Sequence, residues 1–181
     1  MPTQRASVKM SAAAEDATTA PVRRVAKSLV KEMTDAEKEE FNALPTLEIE
    51  DLEQVHYLHT IAEGWAFPLE RFMNEQEFIE SMNMNTITDK DGKKHILSVP
   101  ITHHITTEQK EQFKDAKRIA LKCSAISPDV LAVIEEPEFY DNRKEEICTK
   151  TFGTRSKLHP KIERIEQQGD VLISGKSMRF T

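Results

Sequence analysis

Two adjacent histidines, His103 and His104, are the most conspicuous candidates in this sequence for metal binding or acid–base catalysis. Imidazole is a common metal ligand and a general acid or base near neutral pH. Adjacent side chains on a strand point to opposite faces, so both could not easily bind one metal ion. His95 lies eight residues earlier, Cys123 is distant, and no zinc-like spacing appears. We therefore expect a surface pair and no metal site.

An acidic cluster of Glu135, Glu136 and Glu138 could supply paired carboxylates for acid–base catalysis. Pro137, within the cluster, is favoured in the first turn of a helix, where the helix dipole also stabilises carboxylates. We therefore predict that the cluster opens a helix that ends before Gly153. That helix would carry Phe139, Tyr140, Arg143 and Ile147.

The run from Arg143 to Glu146 predicts a mixed-charge helix face with local ion pairs, or a docking surface. The two cysteines, Cys123 and Cys148, form no CxxC motif and no disulfide framework. Neither lies in a context that demands a nucleophile, so we expect both to be packing residues in a reducing compartment.

Phosphate-binding signals are missing from this sequence. The five glycines lie far apart, no GxxxxGK[ST] motif occurs, and Asp91-Gly92-Lys93-Lys94 is only a polar turn. Basic residues interleaved with aromatics, which are typical of RNA-binding domains, do not occur in the acidic part of the chain. We therefore assign no catalytic, cofactor-binding or metal-binding residue, and we expect no cofactor.

Composition and charge divide the chain of 181 residues into two parts. Residues 1–31 carry six Lys or Arg and two acids, a net charge of +4, whereas the remainder sums to −10. The first part has few large apolar side chains, so we predict a disordered basic tail over 1–31, although its acid-poor composition faintly resembles a transit peptide. Residues 32–181 form the predicted domain. No apolar run is long enough for a bilayer, and we expect a cytoplasmic protein, with the nucleus as an alternative.

The hydrophobic pattern predicts short helices and short strands without regular alternation. Helices are predicted over 34–43 and 51–63, from Asn74, and for about three turns from Thr106. Strands are predicted at 47–49, 95–101, 118–123, 129–134 and 170–174, and a helical turn follows His159. This order indicates an α+β domain with a mixed, curved or barrel-like sheet and peripheral short helices.

The stretch from Ala62 to Leu69 joins two of these elements. Gly64 lies where a left-handed residue ends a helix, and Pro68 cannot continue that helix. Trp65, the only tryptophan, lies between them, and we expect its side chain to be buried. On the preceding helix we expect one apolar face, formed by Leu52, Val55, Leu58 and His59.

Several ordered stretches resemble the N-terminal, PUA-like domain of ATP sulfurylase (sulfate adenylyltransferase), most closely the form in the bifunctional 3′-phosphoadenosine 5′-phosphosulfate (PAPS) synthases of animals. The resemblance covers roughly residues 47–175. The stretches that carry it are Ala62-Glu63-Gly64-Trp65-Ala66 with Pro68-Leu69 and Phe72-Met73, Glu77-Phe78, Ser98-Val99-Pro100-Ile101, Pro137-Glu138-Phe139-Tyr140 with Arg143-Lys144-Glu145-Glu146 and Cys148, Gly153-Thr154, His159-Pro160 and Gly169-Asp170.

This sequence also departs from the family pattern. Arg71 stands where the family usually has glycine, and Phe152 and Val171 replace usual tryptophans. We expect Arg71 to face solvent or a partner. The family's QxRNP, HxGH and GRD motifs and the synthase's kinase half are absent, so no catalytic residue is carried over.

The resemblance therefore implies a non-catalytic accessory domain that supports folding or association of a full-length sulfurylase, a PAPS synthase or another copy of itself. A stand-alone binding module, for RNA by analogy with other PUA-like folds, is the alternative, and the acidic charge opposes it. A complete enzyme is the least favoured interpretation, because it would require a new site.

Overall fold

The computed structural model describes residues 26–181, and the part of the predicted tail before residue 26 lies outside the described residues. Short helices alternate irregularly with strands along this part of the chain. Their order is α1 (Asp35–Asn42), β1 (Thr46–Glu48), α2 (Leu52–Ala62), α3 (Glu75–Met84), β2 (Thr86–Thr88), β3 (Lys94–Ile96), β4 (His103–Ile105), α4 (Thr107–Phe113), β5 (Arg118–Cys123), β6 (Ser127–Asp141), α5 (Lys144–Phe152), α6 (Pro160–Gln167) and β7 (Val171–Phe180).

The predicted helix starts are confirmed by their caps. Thr34, Asn74 and Thr106 each accept a hydrogen bond from the backbone three residues later, and each forms a capping box. The carboxylate of Asp51 accepts a hydrogen bond from the Glu53 amide at 2.9 Å and so caps α2. Helix α4 has seven residues, which is about two turns and not the predicted three.

A five-stranded sheet organises the fold, with strand order β1-β5-β6-β7-β4. β1 runs parallel to β5, and the other neighbours are antiparallel. β2 and β3 form a separate antiparallel hairpin. The predicted α+β class with a mixed, curved sheet and short peripheral helices is therefore confirmed.

The helix predicted to begin at the acidic cluster is wrong in its first part. β6 continues through the cluster to Asp141, and α5 begins only at Lys144. Glu135 is the last residue of β6 paired with β5, and Glu136 has a positive φ of 47°. Pro137 follows that irregularity, where only β7 still pairs with the strand, and proline is tolerated at such a position.

Two strand boundaries also differ from prediction. β7 extends to Phe180 because its later residues pair with the first half of β6, whereas a strand ending at Ser174 was predicted. The chain comes so close to β6 that a Cβ on Gly175 would lie 2.5 Å from a methyl group of Ile134. β3 spans Lys94–Ile96, so it shares only residues 95 and 96 with the predicted strand 95–101, because its partner β2 has three residues.

The core lies between the sheet and the helices around it. Its largest fully buried side chains include Phe72, Phe78, Phe113 and Phe180. Both cysteines, Cys123 and Cys148, are buried, which confirms the prediction of packing residues. Burial and the nearby Glu166 carboxylate raise the pKa of the Cys148 thiol, so it has little tendency to react as a thiolate.

The buried face of α2 is rotated from the predicted one. Val55 and Leu58 are buried as expected, but Leu52 and His59 are exposed. Gln54 takes an interior position instead, because its side-chain oxygen has a buried hydrogen-bonding partner, described below. A buried polar side chain of this kind is invisible to hydrophobic periodicity.

Residues 26–31 connect two distant parts of the domain. The Leu29 amide donates to the Ala62 carbonyl at the end of α2, and the Lys31 amide donates to the Phe180 carbonyl at the end of β7. Val30 also forms a parallel bridge with Phe180. The boundary at residue 31 stays a prediction. Among the described residues, no helix has the length and apolar character needed to cross a bilayer.

Candidate functional site

The turn that follows α2 turns the tryptophan away from the core. Gly64 adopts a left-handed φ of +74°, and a Cβ there would lie 2.3 Å from the Lys27 carbonyl oxygen. The amides of Trp65 and Ala66 both donate to the Thr60 carbonyl, at 3.0 and 3.2 Å. Ala66 is buried beneath the turn, and Trp65 is 78% exposed. The expectation that Trp65 would be buried is therefore wrong, because Ala66 occupies the inward position.

Strand β3 lies against this turn. The rings of Phe67 and His95 meet edge to face with their centroids 5.1 Å apart. Ile96, the next residue of β3, points to the opposite face of that strand. We call Trp65 and Phe67, which are 78% and 53% exposed at the turn, the Trp65 surface. Exposed aromatic side chains grouped at one turn are typical of surfaces that bind another protein.

A cavity of about 370 Å³ opens beside the turn. Pro68, Leu69, Ile87 and Met178 give it apolar walls. Its charged lining has four carboxylates and three cations, which are Glu70, Glu77, Asp89 and Asp91 with Arg71, Lys90 and Lys176. Apolar walls with a charged rim suit an apolar group that carries positive charge at its edge.

Arg71 does not project freely into solvent or toward a partner, as the sequence led us to expect. Its guanidinium lies 2.7 Å from the Glu77 carboxylate, and these side chains are only 19% and 22% exposed. It also donates to the Phe72 carbonyl at 3.0 Å. Arg71 therefore holds the residues after the turn against the first turn of α3.

The histidine pair is internal, so the predicted surface pair is wrong. His103 is buried, its Nδ1 lies 2.9 Å from the Gln54 side-chain oxygen, and its ring stacks on Phe72. Burial, with a smaller contribution from His104, lowers the pKa of His103 to about 3. His103 is therefore neutral at physiological pH and serves the packing between α2 and β4.

His104 points to the other side of β4 and is half-buried. Its Nδ1 accepts a hydrogen bond from the Gly169 amide at 3.3 Å, and its Nε2 lies 3.8 Å from the Asp51 carboxylate. Burial lowers the pKa of His104, while the charge of Asp51 opposes that shift. In residues 26–181, no three His, Cys, Asp or Glu side chains are arranged to hold a metal ion.

The two charged clusters singled out in the sequence lie in different elements: the acidic cluster lies in β6, and the run from Arg143 to Glu146 lies at the start of α5. Glu136 pairs with Lys176 across the sheet at 3.2 Å, and its neighbours Glu135 and Glu138 lie along β6. The predicted local ion pairs are confirmed at Glu146, which lies 3.6 Å from Arg143 and 3.5 Å from Lys150. The other pairs of this run reach distant parts of the chain and were not predicted. They join Arg143 to Glu75 at 3.0 Å, Lys144 to Asp170 at 2.7 Å and Glu145 to Arg155 at 2.6 Å.

The described residues therefore offer contact surfaces and structural ion pairs. Sequence analysis singled out Trp65 but did not predict that Trp65 and Phe67 are both exposed, because hydrophobic residues at a turn give no period that shows which of them faces the core.

Comparisons with known proteins agree with the fold. A family model described as PUA-like domain matches residues 19–180. The chain is 33% identical over 139 residues to ATP sulfurylase 2 of Arabidopsis thaliana, which covers 76% of this chain and 29% of that protein. It is 36% identical over 122 residues to the chloroplastic ATP sulfurylase 4 of the same plant, which covers 67% of this chain and 26% of that protein.

A solved structure titled hexameric APS kinase from Thiobacillus denitrificans superposes with a TM-score of 0.54 at 16% identity. It covers 86% of this chain and 25% of that one, and it supports the fold alone. The chain spans less than a third of the length of these relatives. The family match over most of the chain and the similarity to two sulfurylases show that it belongs to the PUA-like domain family, in the form found in ATP sulfurylase.

Proposed function

We propose that this chain is a non-catalytic accessory domain of sulfate activation, which supports the folding or association of an ATP sulfurylase or PAPS synthase. The observation that carries the proposal is the exposure of Trp65, at 78%, in one of the stretches that carry the family resemblance. An exposed tryptophan gains free energy when another surface covers it, and tryptophans are enriched among the residues that contribute most to binding at protein interfaces.

The place of the Trp65 surface within the fold supports this role. Lys27 lies against Gly64, and Val30 pairs with Phe180, so only three residues of chain separate the turn from the end of β7. Three residues span at most about 10 Å. In the two plant sulfurylases, more than two thirds of the polypeptide lies outside the matched region. A polypeptide held near the end of β7 would reach the Trp65 surface directly.

Stand-alone RNA binding is the alternative, and the net charge of −6 opposes it because nucleic acid is also negative. Tight binding of RNA that weakens steeply with salt would favour that alternative. The proposed location of the accessory domain is the cytoplasm, with the nucleus as an alternative.

The test uses the portion of ATP sulfurylase 2 that this chain does not match, produced as a separate protein. We expect calorimetry to show that it binds the chain. We also expect the bound portion to be more stable than the free one, to release pyrophosphate faster from ATP in the presence of sulfate, or to show both changes. Trp65→Ser should weaken binding at least about tenfold, which is 1.4 kcal/mol. Ile126→Ser is the matched control, because Ile126 is 51% exposed at the β5–β6 turn.

Two results would overturn the proposal. One is clear turnover of ATP and sulfate by the isolated chain, which would make it an enzyme in its own right. The other is a failure to bind either that separate portion or an intact sulfurylase at any accessible concentration.

A further inference from the structure

The segment that crosses the end of α2, residues 26–31, carries an exposed serine at its centre. We call this segment the strap. The hydroxyl of Ser28 donates to the carbonyl of Ala62, the last residue of α2, at 3.5 Å. The oxygen of the same hydroxyl accepts a hydrogen bond from the Val30 amide at 3.3 Å. Ser28 therefore helps to fix the strap to the helix through a side chain that lies in contact with solvent.

Basic residues surround Ser28 in the sequence. The fifteen residues from 17 to 31 contain four Lys or Arg and no acid, although the whole chain has a net charge of −6. These cations lie five and four residues before Ser28, one residue before it and three residues after it, at Arg23, Arg24, Lys27 and Lys31. Protein kinases that select basic substrates bind them in a groove with negative charge, so such a stretch attracts them.

The conformation of the strap is also suited to a kinase. Kinases bind a substrate as an irregular or extended segment, and residues 26–29 belong to no helix or strand. The first pairing contact of the strap is the isolated bridge from Val30 to Phe180. Ser28 and its neighbour Lys27 are exposed, and only Leu29 packs partly against the core. A segment held by so few buried contacts opens locally at low cost.

A phosphate on Ser28 would meet negative charge at the end of α2. The last carbonyls of a helix carry partial negative charge, and Ser28 now donates to one of them. Glu63, the residue that follows Ala62, adds an exposed carboxylate. Phosphorylation removes the proton that Ser28 donates and adds a charge of about −1.5 to −2. The contact between the strap and the helix thus changes from attraction to repulsion.

The cations near the strap do not reverse this effect. Lys27 and Lys31 attract a phosphate on Ser28, but they belong to the strap and move with it. On β7, the cations beside the strap are Lys176 and Arg179, and they already pair with carboxylates at 3.2 and 2.5 Å. The phosphate therefore gains no new partner on the body of the domain that would replace the lost contact with α2.

We propose that Ser28 is a phosphorylation site and that its phosphorylation releases the strap from the end of α2. The kinase has an acidic substrate groove, and ATP supplies the phosphoryl group. Ser28 Oγ attacks the γ-phosphorus, the new O–P bond replaces the bond to the ADP oxygen, and the hydroxyl proton passes to a base of the kinase. Because the Lys27 carbonyl lies against Gly64, release also removes one wall of the turn that carries the Trp65 surface. The inference goes beyond the accessory role and does not depend on it.

Phosphate transfer to the full chain tests the site. The chain is incubated with ATP and either protein kinase C or cAMP-dependent protein kinase, and the modified residues are mapped by mass spectrometry. We expect modification of Ser28, at a rate that falls at least about fivefold when Arg23→Ala and Arg24→Ala are combined. Arg5→Ala with Lys9→Ala removes the same charge farther from Ser28 and should leave the rate unchanged. Failure of both kinases to modify Ser28 overturns the site.

Hydrogen exchange tests the release separately, in a chain produced with phosphoserine at position 28. The amides of Leu29 and Lys31 donate to Ala62 and Phe180, and we expect them to exchange at least about tenfold faster than in the unmodified chain. Ser156→Glu is the control, because it adds an acid at another exposed serine with basic neighbours and should leave both amides unchanged. Equal exchange in the phosphorylated and unmodified chains overturns the proposed release.

Discussion

Arg71 holds Glu77 in a two-point ion pair, with Nη1 2.7 Å from one carboxylate oxygen and Nη2 3.3 Å from the other. The same carboxylate accepts a hydrogen bond from the Asn74 amide at 3.0 Å and completes the capping box of α3. One ion pair thus fixes both the residues after Pro68 and the start of a helix. Its position at the rim of the cavity makes it a structural support of that surface.

Arg71→Met should destabilise the domain by about 1–2 kcal/mol, because it leaves a half-buried carboxylate without its partner. Urea unfolding followed by circular dichroism measures this change. Lys114→Met is the matched control, since Lys114 and Glu111 also form an ion pair but their side chains are 55% and 61% exposed. Equal effects of the two substitutions would contradict the structural role of Arg71.

His103 should make stability decrease in mild acid. Its pKa is lowered to about 3 in the folded state, chiefly by burial, whereas an unfolded histidine titrates near 6.5. The unfolded state therefore binds the additional proton first, and stability present above pH 6.5 is lost as the pH falls toward 3. Between pH 7 and 5 this one group accounts for a loss of about 2 kcal/mol.

His103→Gln should flatten that part of the stability profile, whatever its effect at pH 7. The measurement is the free energy of unfolding in urea at a series of pH values. His59→Gln, on the exposed side of α2, should retain a steeper slope than His103→Gln. Indistinguishable slopes for the native chain and His103→Gln would show that His103 is accessible to protons in the folded state.

Gly64→Ala and Gly92→Ala separate backbone strain from steric contact. Both glycines have positive φ, +74° and +78°, so alanine costs about 1–2 kcal/mol at either position. Only Gly64 faces a second obstacle, the Lys27 carbonyl 2.3 Å from the new Cβ, whereas the Cβ at Gly92 meets open space. We expect Gly64→Ala to cost at least about 1 kcal/mol more in urea unfolding and to speed hydrogen exchange of the Leu29 amide.

Trp65 should behave as an exposed residue in solution. Its fluorescence, the only tryptophan signal of the chain, should be readily quenched by acrylamide at low protein concentration. Trp65→Ser should change stability by no more than about 0.5 kcal/mol, whereas Phe72→Ala, at a fully buried ring, should cost about 3–5 kcal/mol. A large loss of stability in Trp65→Ser would place the side chain in the core.

Local signals predicted much of the fold. Helix caps and left-handed turns depend mainly on neighbouring residues, so they can be predicted from short stretches of sequence. The structure has the predicted caps at Thr34, Asn74 and Thr106 and the predicted left-handed residue at Gly64. The full length of β6 depends instead on β7, which is distant in sequence. A Glu-Pro-Glu sequence is locally suited to a helix start, and only pairing with Gly175 and its neighbours makes it a strand.

Burial at the candidate site was harder to predict than secondary structure. An aromatic residue beside a helix end is usually interior, and Trp65 is exposed only because Ala66 fits beneath the turn. His103 is interior only because Gln54 supplies a polar partner from another element. Both outcomes depend on three-dimensional packing that hydrophobic spacing does not encode.

The position of β7 between β6 and β4 affects how the protein is made. A ribosome releases the other strands of the sheet well before β7. In residues 26–181, however, β4 pairs with no strand but β7, and the last third of β6, from Pro137 to Asp141, also pairs with β7 alone. The backbone hydrogen-bonding edges of these strands therefore stay unpaired until β7 is available. This delay makes the nascent chain a substrate for chaperones until β7 leaves the ribosomal tunnel.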